Sequence, residues 1–116
     1  VLDLDGDGNE RTGWVIFYLH LDDTEKVSTG AVLKMGDALG HPSCLGGNAT
    51  GTHIHIARKY NGEWISAGGT LAFNLENWVA VDGTDAYSGK LIRFDREVIA
   101  SEVSDSKSLI LSELQR

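Results

Sequence analysis

The sequence predicts an all-β fold, and three sets of residues carry that expectation. Trp14-Val-Ile-Phe-Tyr-Leu-His-Leu21 concentrates aromatic and β-branched residues between Gly13 and the Asp22-Asp23 pair, the composition and punctuation of a strand. Thr52-His-Ile-His-Ile-Ala-Arg-Lys-Tyr60 repeats the pattern, and Asn61-Gly62 then supplies a type I′ hairpin turn into Glu63-Trp-Ile65. Trp78-Val-Ala-Val81 and Gly89-Lys-Leu-Ile-Arg-Phe94 are shorter segments of the same kind.

Each element has its own local reason. In the first run, alternation places Trp14, Ile16, Tyr18 and His20 on one face and Val15, Phe17, Leu19 and Leu21 on the other. Both faces are mainly apolar, which predicts a central strand covered on both sides. Ala31-Val-Leu-Lys34 reads as a short element between the turn residues Thr29-Gly30 and Gly36-Asp37. The loop from His41 to Gly51 holds three glycines and the only proline, and its length is that of a functional loop. Residues 101–116 form a polar tail behind a domain spanning 1–100, ending in Leu109-Ile-Leu-Ser-Glu-Leu114 as one helical turn or a frayed end.

A chain of 116 residues, 41% hydrophobic and 23% charged, makes one small soluble domain with a shallow core. No apolar stretch approaches the ~18 residues of a membrane span. The net charge is −7 and the pI about 4.9. The dispersed Lys and Arg residues make no phosphate-tracking stripe, so nucleic acid is not expected as a partner. Cys44 is the single cysteine, which leaves a buried thiol or a partner outside these residues. The chain opens on Val1 and not Met, which points to sequence omitted upstream.

Four histidines hold the candidate chemistry. His53 and His55 are two apart on a predicted strand, so their side chains leave one face with Cα atoms roughly 6–7 Å apart. Imidazole is the commonest zinc ligand, and two aligned beyond a glycine-rich loop make a metal edge. The plain alternative is a surface pair with no ligand. His20 reads equally as a core or strand-end residue, and His41 before Pro42 as a turn residue.

Asp3-x-Asp5-x-Asp7-Gly8 has carboxylates at alternate positions and then a glycine, as a calcium loop begins. Position twelve is Trp14 where an EF-hand needs a bidentate Glu, and a strand pattern follows where that motif has a helix. Asp3, Asp5 and Asp7 are therefore candidate ligands for calcium in a β-turn loop, or simply an Asp/Gly-rich connection.

Taken in order, Tyr18-Leu-His-Leu21, Val27-x-x-Gly30-x-x-Leu33-x-x-Gly36-Asp-Ala-Leu-Gly40 and Gly46-Gly-Asn-Ala-Thr-Gly-Thr-His-Ile-His-Ile56 resemble the lysostaphin-type zinc metallopeptidases. The similarity extends to their staphylolysin-like branch through the His-Pro-Ser-Cys loop, Asn61-Gly-Glu-Trp64 and Phe73-x-Leu75-x-x-Trp78. The resemblance implies a compact antiparallel β-sheet or barrel-sandwich hybrid with a groove across one sheet. It implies His55 as a zinc ligand and His53 as the group that steadies the zinc-bound water or the oxyanion. It implies His20 as a catalytic residue on the other wall of the groove. The implied activity is cleavage of peptide bonds in bacterial cell-wall peptidoglycan, cross-bridges or similar glycine-rich peptides, outside the cell or in the periplasm. The family's other two ligands come from an upstream H-x-x-x-D motif. That motif is absent from this chain, where Thr24 and Leu45 stand four residues after His20 and His41. The alternatives are a degenerate cell-wall-binding or regulatory domain of the same fold, or a carrier module. The Gly30–Gly40 stretch also resembles the hybrid motif of biotinyl-type domains, but the Met-Lys-Met attachment site is missing.

Overall fold

The computed structural model describes residues 1–86 and 88–100; the expected tail at 101–116 lies outside the described residues. The chain divides into two compact units, Val1–Ile65 and a second beginning at Ser66. The described residues are all-β: two four-stranded antiparallel sheets with neither a helix nor a closed barrel.

The first unit holds β1 (Leu2–Asp3), β2 (Trp14–Leu19), β3 (His55–Tyr60) and β4 (Glu63–Ile65), ordered β1-β2-β3-β4. β2 is flanked on both sides, pairing Val15 with Asp3 and with Lys59. The β3–β4 turn has Asn61 at φ 47° and Gly62 at φ 83°, two left-handed residues whose twist matches that of the strands. The turn is anchored to the start of β2. Gly13 N–H donates to Asn61 Oδ1 at 2.9 Å, and Asn61 N–H donates to the Gly13 carbonyl at 2.9 Å.

The core is shallow: among the described residues Val15 is the one hydrophobic side chain counted as buried, at 0% exposure. Leu19 at the far end of β2 is 41% exposed, so the double cover expected for this strand stops short of its end. Val15→Ala removes two buried methyl groups and should cost about 2 kcal/mol at ~0.8 kcal/mol per group, measurable as a lower urea midpoint with unchanged slope.

Residues 31–34 are not a strand. Val32 is 96% exposed, Ala31 N–H donates to Ser28 O, and Lys34 N–H donates to Asp37 Oδ2. Tight local turns satisfy these groups, between Gly30 at φ 84° and Gly36 at φ 92°, and among the described residues no strand pairs with the segment.

The second unit holds β5 (Asn74–Leu75), β6 (Trp78–Val81), β7 (Lys90–Arg93) and β8 (Arg96–Ile99), again in sequence order and antiparallel. Glu76 and Asn77, both left-handed, close the β5–β6 turn, and Asn77 N–H donates to Asn74 Oδ1 at 2.8 Å. Arg93 and Arg96 pair across the β7–β8 hairpin, and their guanidinium carbons lie 5.9 and 5.6 Å from the Trp78 ring centroid.

Candidate active site

Three of the four histidines meet at one end of the first sheet. His55 opens β3 opposite Leu19, and directly opposed residues share a face. Regular alternation would therefore send His20 to the other face, with Tyr18 and Ile56. It does not go there. His20 has a left-handed backbone, φ 64°, and ends the strand, so its ring turns toward the His55 side. The His20 ring centroid lies 4.6 Å from that of His53 and 6.3 Å from that of His55. This corrects the alternation that grouped His20 with Trp14, Ile16 and Tyr18. His20 is buried, while His53 and His55 are exposed.

Two of the rings are held by backbone carbonyls. His20 Nδ1 lies 3.0 Å from the Leu45 carbonyl oxygen, and His53 Nδ1 lies 2.7 Å from that of Gly51. A carbonyl oxygen only accepts, so each Nδ1 carries the proton and each neutral ring keeps its Nε2 lone pair. That tautomer suits an imidazole for taking a proton or binding a metal through Nε2.

The loop supplying these carbonyls is fastened by Ser43, which is buried at 7% exposure. Its N–H and Oγ–H both donate to the His20 carbonyl, at 2.7 and 2.9 Å. Neither Ser43 nor Leu45 carries a chemical signal in the sequence, because a loop serine is common and a backbone carbonyl has no residue type. His41 stays apart from the three rings, with Nε2 3.0 Å from Glu25 Oε2. Cys44 is exposed, not buried as one reading of it expected, and its sulfur lies 3.7 Å from Thr52 Oγ1.

An open cleft of about 1120 Å³ reaches this cluster at His20, with Leu19, Leu45, Gly47 and Val27–Leu33 also in its lining; His53 and His55 do not line it. On the sheet face shared with His55, the register continues through Ala57 and Phe17 to Lys59 and Trp64. The Phe17 and Trp64 rings are 5.0 Å apart, and the Lys59 ammonium is 4.5 Å from the Trp64 centroid.

The acidic loop draws together as well. Asp3, Asp5 and Asp7 each place a carboxylate oxygen within 4.8 Å of the others. Asp3 Oδ2 accepts from Gly8 N–H at 2.7 Å, and Asp7 accepts from Asn9 N–H and the Thr12 hydroxyl. Asp3 Oδ1 is shielded from solvent without a hydrogen-bond partner. The Gly8 N–H holds the Asp3 carboxyl below its ordinary value. At Asp5 the Asp7 N–H pulls the same way, but desolvation and the neighbouring Asp3 and Asp7 outweigh it and raise the carboxyl. Gly13 beside them has a left-handed backbone, φ 58°, which favours glycine, and a Cβ there would also displace the Asp5 carboxylate. Among the described residues no such trio includes a histidine; His20, His53 and His55 do not bring three ring nitrogens that close.

Over half of its length the chain is similar to a curated protease. That relative is Protease LasA of Pseudomonas aeruginosa, 37% identical over an alignment of 65 residues that covers 50% of this chain and 15% of the relative. The chain thus spans a small part of the length of the protein it matches. No protein-family model matches the chain, and no solved structure matches it.

Proposed function

We propose that residues 1–100 belong to a lysostaphin-type zinc endopeptidase that cleaves peptide bonds of bacterial peptidoglycan, cross-bridges or glycine-rich peptides, outside the cell or in the periplasm. The observation that carries this reading is the meeting of His20, His53 and His55 beside an open cleft, with two of the rings held in the Nε2-basic form. The similarity to a protease supports the same direction.

In this reading His55 would hold zinc, and the remaining ligands would come from the family's upstream H-x-x-x-D motif. Bound zinc supplies a water acidified to a pKa of about 7 and polarises the scissile carbonyl. The chain's own work is done by two imidazoles. His53, fixed by Gly51, presents Nε2 to the reacting oxygen and, once protonated, steadies negative charge there. His20, walled into the cleft, holds a lone pair for a proton in flight to the leaving amine. One ligand histidine and two neighbours do not complete a three-ligand site. Calorimetric titration of this chain with Zn²⁺ should therefore show weak or no binding. Tight stoichiometric binding would instead assign zinc to His20, His53 and His55 together, or to a site shared in a dimer, and overturn the division of roles. The absence of a complete ligand set among the described residues also keeps a second reading in play, a non-cleaving cell-wall-binding or regulatory domain. Finding the upstream motif in the gene favours the enzyme.

The same reading includes a calcium ion on Asp3, Asp5 and Asp7, favoured by the shielded, unpartnered Asp3 Oδ1. Millimolar Ca²⁺ should then raise the melting temperature, and Asp5→Asn should abolish the rise. A melting temperature indifferent to Ca²⁺ returns the loop to a plain connection.

A further inference from the structure

We infer that Ser43 is a positioning residue whose hydroxyl sets the tautomer of His20. The hydrogen bonds form a closed ring. Ser43 Oγ–H donates to the His20 carbonyl at 2.9 Å, and the same Oγ accepts from Leu45 N–H at 3.0 Å. The Leu45 carbonyl in turn accepts from His20 Nδ1–H at 3.0 Å. The main chain and the side chain of one histidine are thus joined through two loop residues. The Ser43 N–H adds a second bond to the His20 carbonyl at 2.7 Å, and the Ser43 carbonyl accepts from His53 N–H at 3.4 Å. One small buried residue is therefore bonded to the main chain of both candidate proton carriers, to His20 through its hydroxyl and N–H and to His53 through its carbonyl.

The geometry says what the hydroxyl does. His20 has left the β2 ladder with a left-handed backbone, so its carbonyl has no strand partner beyond Leu19 and takes its donors from Ser43. Buried carbonyls need such donors. Leu45 N–H, bonded to Oγ, fixes the peptide plane of the loop at the point where the next carbonyl must face Nδ1. Without the hydroxyl, Leu45 N–H loses its acceptor, the His20 carbonyl keeps only the Ser43 N–H of its two donors, and the Leu45 peptide is no longer fixed with its carbonyl against the ring. The imidazole is then released to its free preference, which is the proton on Nε2. That is the wrong form for a group whose Nε2 must accept.

This inference rests on the proposed function for its consequence in catalysis but not for the tautomer itself. The test is side-chain ¹⁵N NMR of histidine in this chain, at a pH where the rings are neutral. In the unmodified protein His20 should be in the Nδ1–H form. In Ser43→Ala the Nε2–H form should appear in exchange with it, and Ser43→Thr, which keeps the hydroxyl, should restore the original signal. In the intact zinc-loaded protein Ser43→Ala should lower kcat about tenfold with KM and zinc content unchanged, the scale of losing an outer hydrogen bond behind a working imidazole. An unchanged His20 tautomer in a folded Ser43→Ala protein overturns the inference. If that variant fails to fold, an Nε2–H signal for His20 in the unmodified chain overturns it equally. A shifted tautomer with full turnover supports the role of Ser43 and sinks the catalytic role of His20.

Discussion

His55→Ala in the intact, zinc-loaded protein should lose metal and activity together. His55 stands at the first position of β3, paired to Leu19 and held by the sheet, so its ring is presented from a strand and not from the loop before it. A catalytic zinc keeps three protein ligands and one open position, and removing one ligand leaves a pair that cannot hold the ion in tetrahedral geometry. Zinc per protein measured by atomic absorption should fall to background, and turnover with it. The fold should survive, because His55 is exposed and contributes little to the core around Val15. A His55→Ala protein that keeps its zinc while His53→Ala loses it reverses the assignment within the H-x-H pair.

The second large effect separates ligands from proton carriers. His20→Ala and His53→Ala should each retain zinc yet lower kcat by roughly 10²-fold or more, the usual scale for a general acid–base or oxyanion group. Such groups act on charge that develops only as the carbonyl is attacked, so they leave the ground-state ion in place. The two variants should differ in stability. His20 is buried and meets a carbonyl through Nδ1, so its removal opens a cavity and orphans the Leu45 oxygen, at a cost of about 1–3 kcal/mol. His53 is exposed and its loss should cost less. Full activity in both, beside full activity in His55→Ala, would make the histidines structural and end the enzyme reading.

Parts of both sheets are legible in the residues themselves. The start of β2 at Trp14, the Asn61-Gly62 turn and the whole of β6 follow from composition and local turn chemistry. The acidic trio is legible for the same reason. Alternate residues of a tight glycine-bearing loop have nowhere else to place their carboxylates. Local rules fail where the strand meets the site. Alternation carries β2 through to Leu21, yet the ladder stops at Leu19 and His20 turns left-handed. No propensity scale anticipates that, because the donors that stabilise the turned carbonyl come from Ser43, more than twenty residues away. The 31–34 segment shows the same limit: composition marks a short element there, but whether it pairs depends on a neighbour, and among the described residues it joins no strand.

The residue pattern by itself determines that this protein is all-β and that a glycine-rich loop precedes the paired histidines. These are short-range properties, set by backbone sterics and side-chain period. The strand expected from Thr52 begins only at His55, and His53 stands before it in an isolated bridge to Ser43. Which histidine joins the pair, and in which tautomer, is decided only by tertiary structure. The β2–β3 register brings residue 19 against residue 55, and the loop through Ser43 and Leu45 folds back over His20. A ring nitrogen's proton is placed by whatever faces the other nitrogen, and here that is a backbone carbonyl, a group every residue possesses and no sequence can single out.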